Sequence, residues 1–190
     1  SDANSKILPG MSYIETPLKG CFEITPNLFK DARGSFFEAF NKAHFYAATG
    51  LSFEVAQENQ STSVKGTIRA LHYQKGAYAQ AKLVRVLAGE IIDVVVDLRP
   101  GSPTYGMHHR TKLSALNLKQ LYIPKGFAHG FSVLTNTATV VYACDAPYQK
   151  DQEGGIYFAD PSLNIDWGLG ERRPLLSEKD QALPLLKDVF

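Results

Sequence analysis

Charge of one sign, cysteine and long apolar runs are all in short supply here, and each shortage removes a class of protein. The 190-residue chain sets 20 basic residues against 19 acidic ones, for a net charge of +1. It therefore lacks the field that would draw it to nucleic acid or to an anionic membrane. Its two cysteines, Cys21 and Cys144, have neither metal-ligand spacing nor a disulfide framework. That usage suits a reducing compartment, and the cytoplasm is the expected location. No apolar run approaches a membrane span, and no signal-peptide pattern is visible. Internal repeats, low-complexity stretches and shifts of composition are missing too, so nothing marks a second domain. Residues 1–10 are polar and patternless and precede Met11. They are read as a non-native tail, leaving 11–190 as one domain, long enough to bury a full core.

What is present is β signal, densest over residues 66–99. Residues 67–74 are rich in β-branched and aromatic side chains. Residues 81–87 alternate, with Lys82, Val84 and Val86 on one face and Leu83, Arg85 and Leu87 on the other. Ala88-Gly89 turns the chain into a nearly continuous apolar run over 90–98. A lysine in register with two valines on an inward face is costly unless an anion meets it there. Lys82 is thus a candidate site residue, with His72 one strand earlier. Further strands are expected at 20–25, 35–40, 105–113, 119–123, 129–134 and 138–144, with an extended polar stretch at 53–63. A helix is expected over 41–49, capped by Asn41 and stopped by Gly50, and Ser177 opens a short terminal one. Many short strands with Gly/Pro turns argue for an antiparallel sandwich or barrel, and His, Lys and Tyr among its inward positions argue for a ligand cavity.

The histidines divide. His44 is read as a surface residue of the helix. His108 and His109 point to opposite faces of a strand, so they cannot share a metal, and both are read as solvated. His129, in the turn-into-strand PKGFAH, resembles the second motif of cupin barrels; on spacing alone a structural role explains it as well as a functional one. The companion motif would supply H-x-H and a glutamate, but the sequence is His72-Tyr73-Gln74 with no glutamate before Gly89. A metal-free, cupin-type jelly roll is the expectation.

QENQSTSVKGTIRALHYQ, QAKLV, GEIIDVVVDLR, LYIPKGFAHGF and LSEKD occur in that order. Together they resemble the dTDP-4-dehydrorhamnose 3,5-epimerase family over essentially all of residues 11–186. One departure is Ala70, where the family usually has glycine. The resemblance implies a cofactor-free epimerisation of dTDP-4-dehydro-6-deoxy-D-glucose at C3 and C5, whose protons the C4 ketone acidifies. Inversion needs a base on one face, an acid on the other, and a donor for the enolate oxygen. His72 matches the base, Asp180 the carboxylate that orients it, Tyr142 the acid and Lys82 the group at the oxyanion. By the same resemblance Arg33 and Arg69 contact the diphosphate and Tyr148 stacks on thymine. Phe29, Phe36 and Glu38 lie around the base, and Gln57, Asn59, His129, Glu153 and Lys179 make further substrate contacts. The segment 29–38 is expected to reach the site of a neighbouring subunit in a homodimer.

Each assignment has a rival. Ser177-Glu178-Lys179-Asp180 also reads as a capping box, and from sequence alone capping is the favoured role for Asp180. Without the resemblance, Tyr142 reads more readily as a core tyrosine whose hydroxyl finds a backbone partner. Strict alternation sets Arg69 and His72 on opposite faces, so a shared site requires a bulge or twist. The rival functions are a single-centre epimerase or ketoisomerase on the same barrel, and a non-catalytic sugar-nucleotide-binding barrel.

Overall fold

The structure, a computed structural model, describes residues 5–8 and 11–189. In chain order it runs β1 (Ser5–Leu8), β2 (Met11–Glu15), β3 (Phe22–Pro26), β4 (Phe29–Asp31) and β5 (Gly34–Phe36). Helix α1 (Lys42–Thr49) follows, then β6 (Gln57–Val64), β7 (Ile68–Gln74), β8 (Lys82–Ala88) and β9 (Glu90–Asp97). Next come β10 (His108–Ser114), β11 (Gln120–Ile123), β12 (Phe127–Val133), β13 (Thr137–Cys144), β14 (Glu153–Gly155) and helix α2 (Glu178–Gln181). A seven-stranded sheet in the order β1-β2-β3-β11-β8-β13-β6 faces a five-stranded sheet in the order β10-β9-β12-β7-β14, and β4-β5 stands apart as a hairpin. This is the expected all-β jelly roll. Among the described residues no helix is long and apolar enough to cross a membrane.

Alternation along the strands makes three apolar layers. Inward residues such as Val84, Val86, Ile91, Val95, Phe131 and Val140 fill the space between the sheets. The outer face of the seven-stranded sheet buries Tyr13, Leu83 and Tyr122 beneath Phe45 and Ala48 of α1. That helix has the expected ends: the Asn41 side chain accepts from the His44 backbone N–H, and Gly50 closes it at φ 73°. The outer face of the five-stranded sheet is covered by the C-terminal segment, where Trp167 and Leu163 pack on Ile92, Val94 and Val96.

Three differences from the sequence reading bear on the site. The strand expected at 35–40 ends at Phe36, as the short arm of a hairpin. β14 was not anticipated, because three residues with two glycines carry no periodicity. Residues 5–8, left outside the fold by the sequence reading, run antiparallel to β2 at the sheet edge.

The register between β7 and β12 answers the parity problem. His72 pairs with His129 but Arg69 pairs with Phe131, so three residues on β7 span two on β12. Ala70 and Leu71, joined by a cis peptide bond, both belong to the outer apolar layer. Two consecutive outward residues restore Arg69 and His72 to the same side.

Candidate active site

Along β8 the inward side chains run Val86, Val84, Lys82, and along β13 they run Ala138, Val140, Tyr142. The barrel is therefore apolar at one end and polar at the other. At the polar end lies a cavity of about 490 Å³, lined by His72, Lys82, His129, Tyr142 and Asp180 among others. A second lobe of about 330 Å³ shares His72, Lys82, Tyr142 and Glu153 with it and adds Gln57, Asn59 and Tyr148.

His72 is about one-third exposed, and its Nε2 lies 2.7 Å from Oδ1 of the buried Asp180. The other oxygen of Asp180 accepts from the Ala70 backbone N–H at 3.2 Å, inside the bulge. Ser177 also caps α2, its hydroxyl accepting from the Asp180 N–H. Only half of the expected capping box forms: Ser177 holds the backbone of Asp180. The Asp180 carboxylate, expected to cap, is committed to His72 and the Ala70 N–H because both lie against the start of α2.

Lys82 is 8 % exposed. Its ammonium has no ion pair or hydrogen bond among the described residues, and its Nζ sits 5.5 Å from the centre of the Tyr142 ring. Burial pushes its pKa down, against the opposing influence of Cys144, Asp93 and Glu153. Burial pushes the Tyr142 phenol up, and a hydrogen bond with Asn59 pulls it partly back. The phenol is therefore protonated at neutral pH and able to give a proton.

The remaining candidates fall into groups. Arg69 is held by a 2.9 Å bond from its Nε to the Ser63 hydroxyl, and the residue lines the larger lobe. Glu153 Oε2 accepts from the Tyr148 hydroxyl at 3.0 Å and from Lys179 Nζ at 2.6 Å. Burial would raise the Glu153 carboxyl, but Lys179 and Tyr148 outweigh it and hold it below its ordinary value. Gln57 donates to Asn59 and accepts from the Tyr148 backbone N–H, tying the floor of the smaller lobe together. Phe29, Arg33 and Phe36 lie on the β4–β5 hairpin and line a separate cleft, so one chain does not bring them to the cavity. Glu38 lies just beyond, 3.5 Å from His44 Nδ1.

Sequence reasoning missed Asp93. It is fully buried, and its Oδ1 is 2.6 Å from Nε2 of the buried His129. The signal was legible: a carboxylate in the middle of the otherwise apolar run EIIDVVV. His109, expected to be solvated, is instead half-buried, with Nε2 3.0 Å from Glu23. No three His, Cys, Asp or Glu side chains among the described residues are grouped as a metal site.

The chain is similar to known proteins over most of its length. The profile of the family described as dTDP-4-dehydrorhamnose 3,5-epimerase matches residues 15–188. A dTDP-4-dehydrorhamnose 3,5-epimerase of Shigella flexneri is 48% identical over 170 residues, spanning 90% of this chain and 93% of that one. The crystal structure of the enzyme of that name from Elizabethkingia anophelis superposes with a TM-score of 0.91 at 48% identity, covering 95% of this chain and 98% of the other. A dTDP-6-deoxy-D-glucose-3,5-epimerase from Legionella pneumophila, solved in complex with dTDP-4-keto-L-rhamnose, gives 0.90 at 44% identity with 95% of each chain covered.

Proposed function

This chain belongs to the dTDP-4-dehydrorhamnose 3,5-epimerase family, and from that membership we propose that it inverts C3 and C5 of dTDP-4-dehydro-6-deoxy-D-glucose. The observation that carries the reading is the meeting of His72–Asp180, Tyr142 and the unpaired Lys82 ammonium at the junction of two cavity lobes.

The chemistry follows from the groups. Nε2–H of His72 donates to Asp180, which leaves Nδ1 as the lone pair that takes a proton next to the ketone and lets the carboxylate stabilise the imidazolium. Electrons from the broken C–H bond move onto the C4 oxygen. Lys82 meets the charge that develops there, where a fixed ammonium in a dry site is worth far more than in water. Tyr142 returns a proton to the carbon from the opposite face, and solvent resets the phenolate and imidazolium. The ketone is the electron sink, so no cofactor is called for. Arg69 and Lys179 supply cations for the diphosphate, Tyr148 a flat face for thymine, and Gln57, Asn59, Glu153 and His129 the polar contacts around them.

Phe29 and Phe36 are directly opposed on the hairpin and are 55% and 69% exposed. Arg33 stands at the hairpin turn, bound to Asp31. Two such phenylalanines beside a guanidinium suit insertion into the site of a second copy, with Glu38 following. We place the protein in the cytoplasm as a homodimer whose sites are completed across the interface, acting on a sugar nucleotide and not on nucleic acid or membrane.

Incubation with substrate in heavy water, read by NMR, tests the reading. Deuterium at both C3 and C5 is expected. Label at one carbon alone would make the protein a single-centre epimerase, and no label at all would leave a binding protein.

A further inference from the structure

His129, which lines the cavity, is paired from behind with Asp93, a buried carboxylate to which the proposed chemistry gives no role. We propose that Asp93 is a positioning residue for this site, fixing His129 with its Nε2–H bound and sustaining the Lys82 ammonium through its own buried charge. The inference rests on the epimerase reading and names a further determinant of the same site.

The geometry is specific. Asp93 is on the inward face of β9, between Ile91 and Val95, with no exposed surface. One carboxylate oxygen is 2.6 Å from His129 Nε2; the other is buried with no hydrogen-bond partner among the described residues. An ionised carboxylate left half-satisfied in an apolar layer is costly unless positive charge lies near it. The positive group facing it is Lys82 from β8; beyond His129 stands His72 of β7, its cross-strand partner, as a neutral imidazole in the resting site. The hydrogen bond to Asp93 commits Nε2–H, so Nδ1 is the ring atom left for the sugar. His129 therefore enters the cavity in one tautomer, fixed from behind.

The charge acts on Lys82 as well. Of the groups that oppose its desolvation, Cys144 is a thiol raised by burial and thus neutral, so Asp93 and Glu153 are the carboxylates that favour the ammonium. Glu153 is already engaged by Lys179 and Tyr148, which leaves Asp93 as the less compensated anion. Tyr142 from β13 faces Lys82 as a neutral phenol, and Cys21 is the remaining titratable group beside Asp93, raised to about 12 by burial. Asp180 from α2 is committed to His72.

The test is Asp93→Asn, which keeps the shape and removes the charge. The expected result is a folded protein with KM within about twofold of wild type and kcat lowered about 10- to 100-fold. The alkaline limb of its activity should move to lower pH by about one unit, because Lys82 loses its proton earlier. A purely structural role would lower the melting temperature without moving the pH profile. Nitrogen-15 imidazole spectra of the wild-type protein provide the second measurement, and His129 should be the Nε2–H tautomer across neutral pH. Unchanged kcat and pH profile in Asp93→Asn, or a wild-type His129 protonated on Nδ1 alone, would overturn the assignment. If the variant does not fold, the wild-type spectrum decides. If the wild-type protein incorporates no deuterium from heavy water, it is the epimerase reading that has failed, and the spectrum still judges the Asp93–His129 pair.

Discussion

A lysine buried with no carboxylate in direct contact is costly to the fold in itself and an asset to the site. Lys82 continues the inward row of Val86 and Val84, and a methionine there would fill the same space without a charge to desolvate. Lys82→Met removes that cost but leaves the buried Asp93 carboxylate without its facing cation, so stability is expected to fall by about 1–3 kcal/mol. The same change should lower kcat by about 10²–10³-fold through loss of the oxyanion partner. Thermal melting and steady-state kinetics on one sample check both signs, and a stable variant with normal kcat would remove Lys82 from the mechanism. Tyr142 divides the reaction differently. Tyr142→Phe should still exchange deuterium, since His72 remains, while formation of the inverted sugar falls at least tenfold. His72→Ala should abolish exchange and leave dTDP binding largely intact.

At the scale of elements, the bulge in β7 is the device that gathers the site, and it depends on Gly130 opposite. A Cβ on Gly130 would come within 2.3 Å of the Ala70 Cβ and 2.8 Å of both the Ala70 Cα and the Arg69 carbonyl. Gly130→Ala must push β7 and β12 apart, with an expected loss of about 1–3 kcal/mol. Exchange should fall further than the remaining folded fraction explains; adding Ala70→Gly should recover part of the stability. The methyl of Ala70 lies in the outer apolar layer, away from the cavity. That methyl thus bears on how two strands pack and not on which sugar enters. Sequence could state the conflict between Arg69 and His72 but not its solution, because a bulge is settled by the partner strand's register. Alternation did show Lys82 among valines, and the cap residues of α1 were legible because helix ends are local. β14 and the Asp93–His129 pair were not read, the first for want of periodicity. The second joins residues 36 apart in sequence, and apolar context alone does not name the partner.

The whole molecule is two sheets joined through their filling and along their rims. One rim contact is Glu23 of β3 with His109 of β10, reinforced by Lys119. The hydrogen bond from His109 is the largest influence holding the Glu23 carboxyl down at about 2 from an ordinary 4.5. A depressed carboxyl contributes stability in full above its ordinary value and loses it as pH falls through the depressed one. Acid unfolding monitored between about pH 4.5 and 2 should therefore begin earlier in Glu23→Gln than in wild type. Assembly has its own test: an Arg33→Ala subunit and a His72→Ala subunit, each inactive alone, should regain activity when mixed. No recovery would mean that the hairpin acts within its own chain. A last consequence concerns the barrel's filling. His72 stands on the five-stranded sheet, while Tyr142 and Lys82 stand on the seven-stranded one. The gap across which protons are handed is thus the gap between the two sheets, ordinarily about 10 Å from backbone to backbone. Valines far from any sugar act as a spacer that gauges the jaws of the reaction, and thickening or thinning that spacer by a methyl group should detune the chemistry before it unfolds the protein.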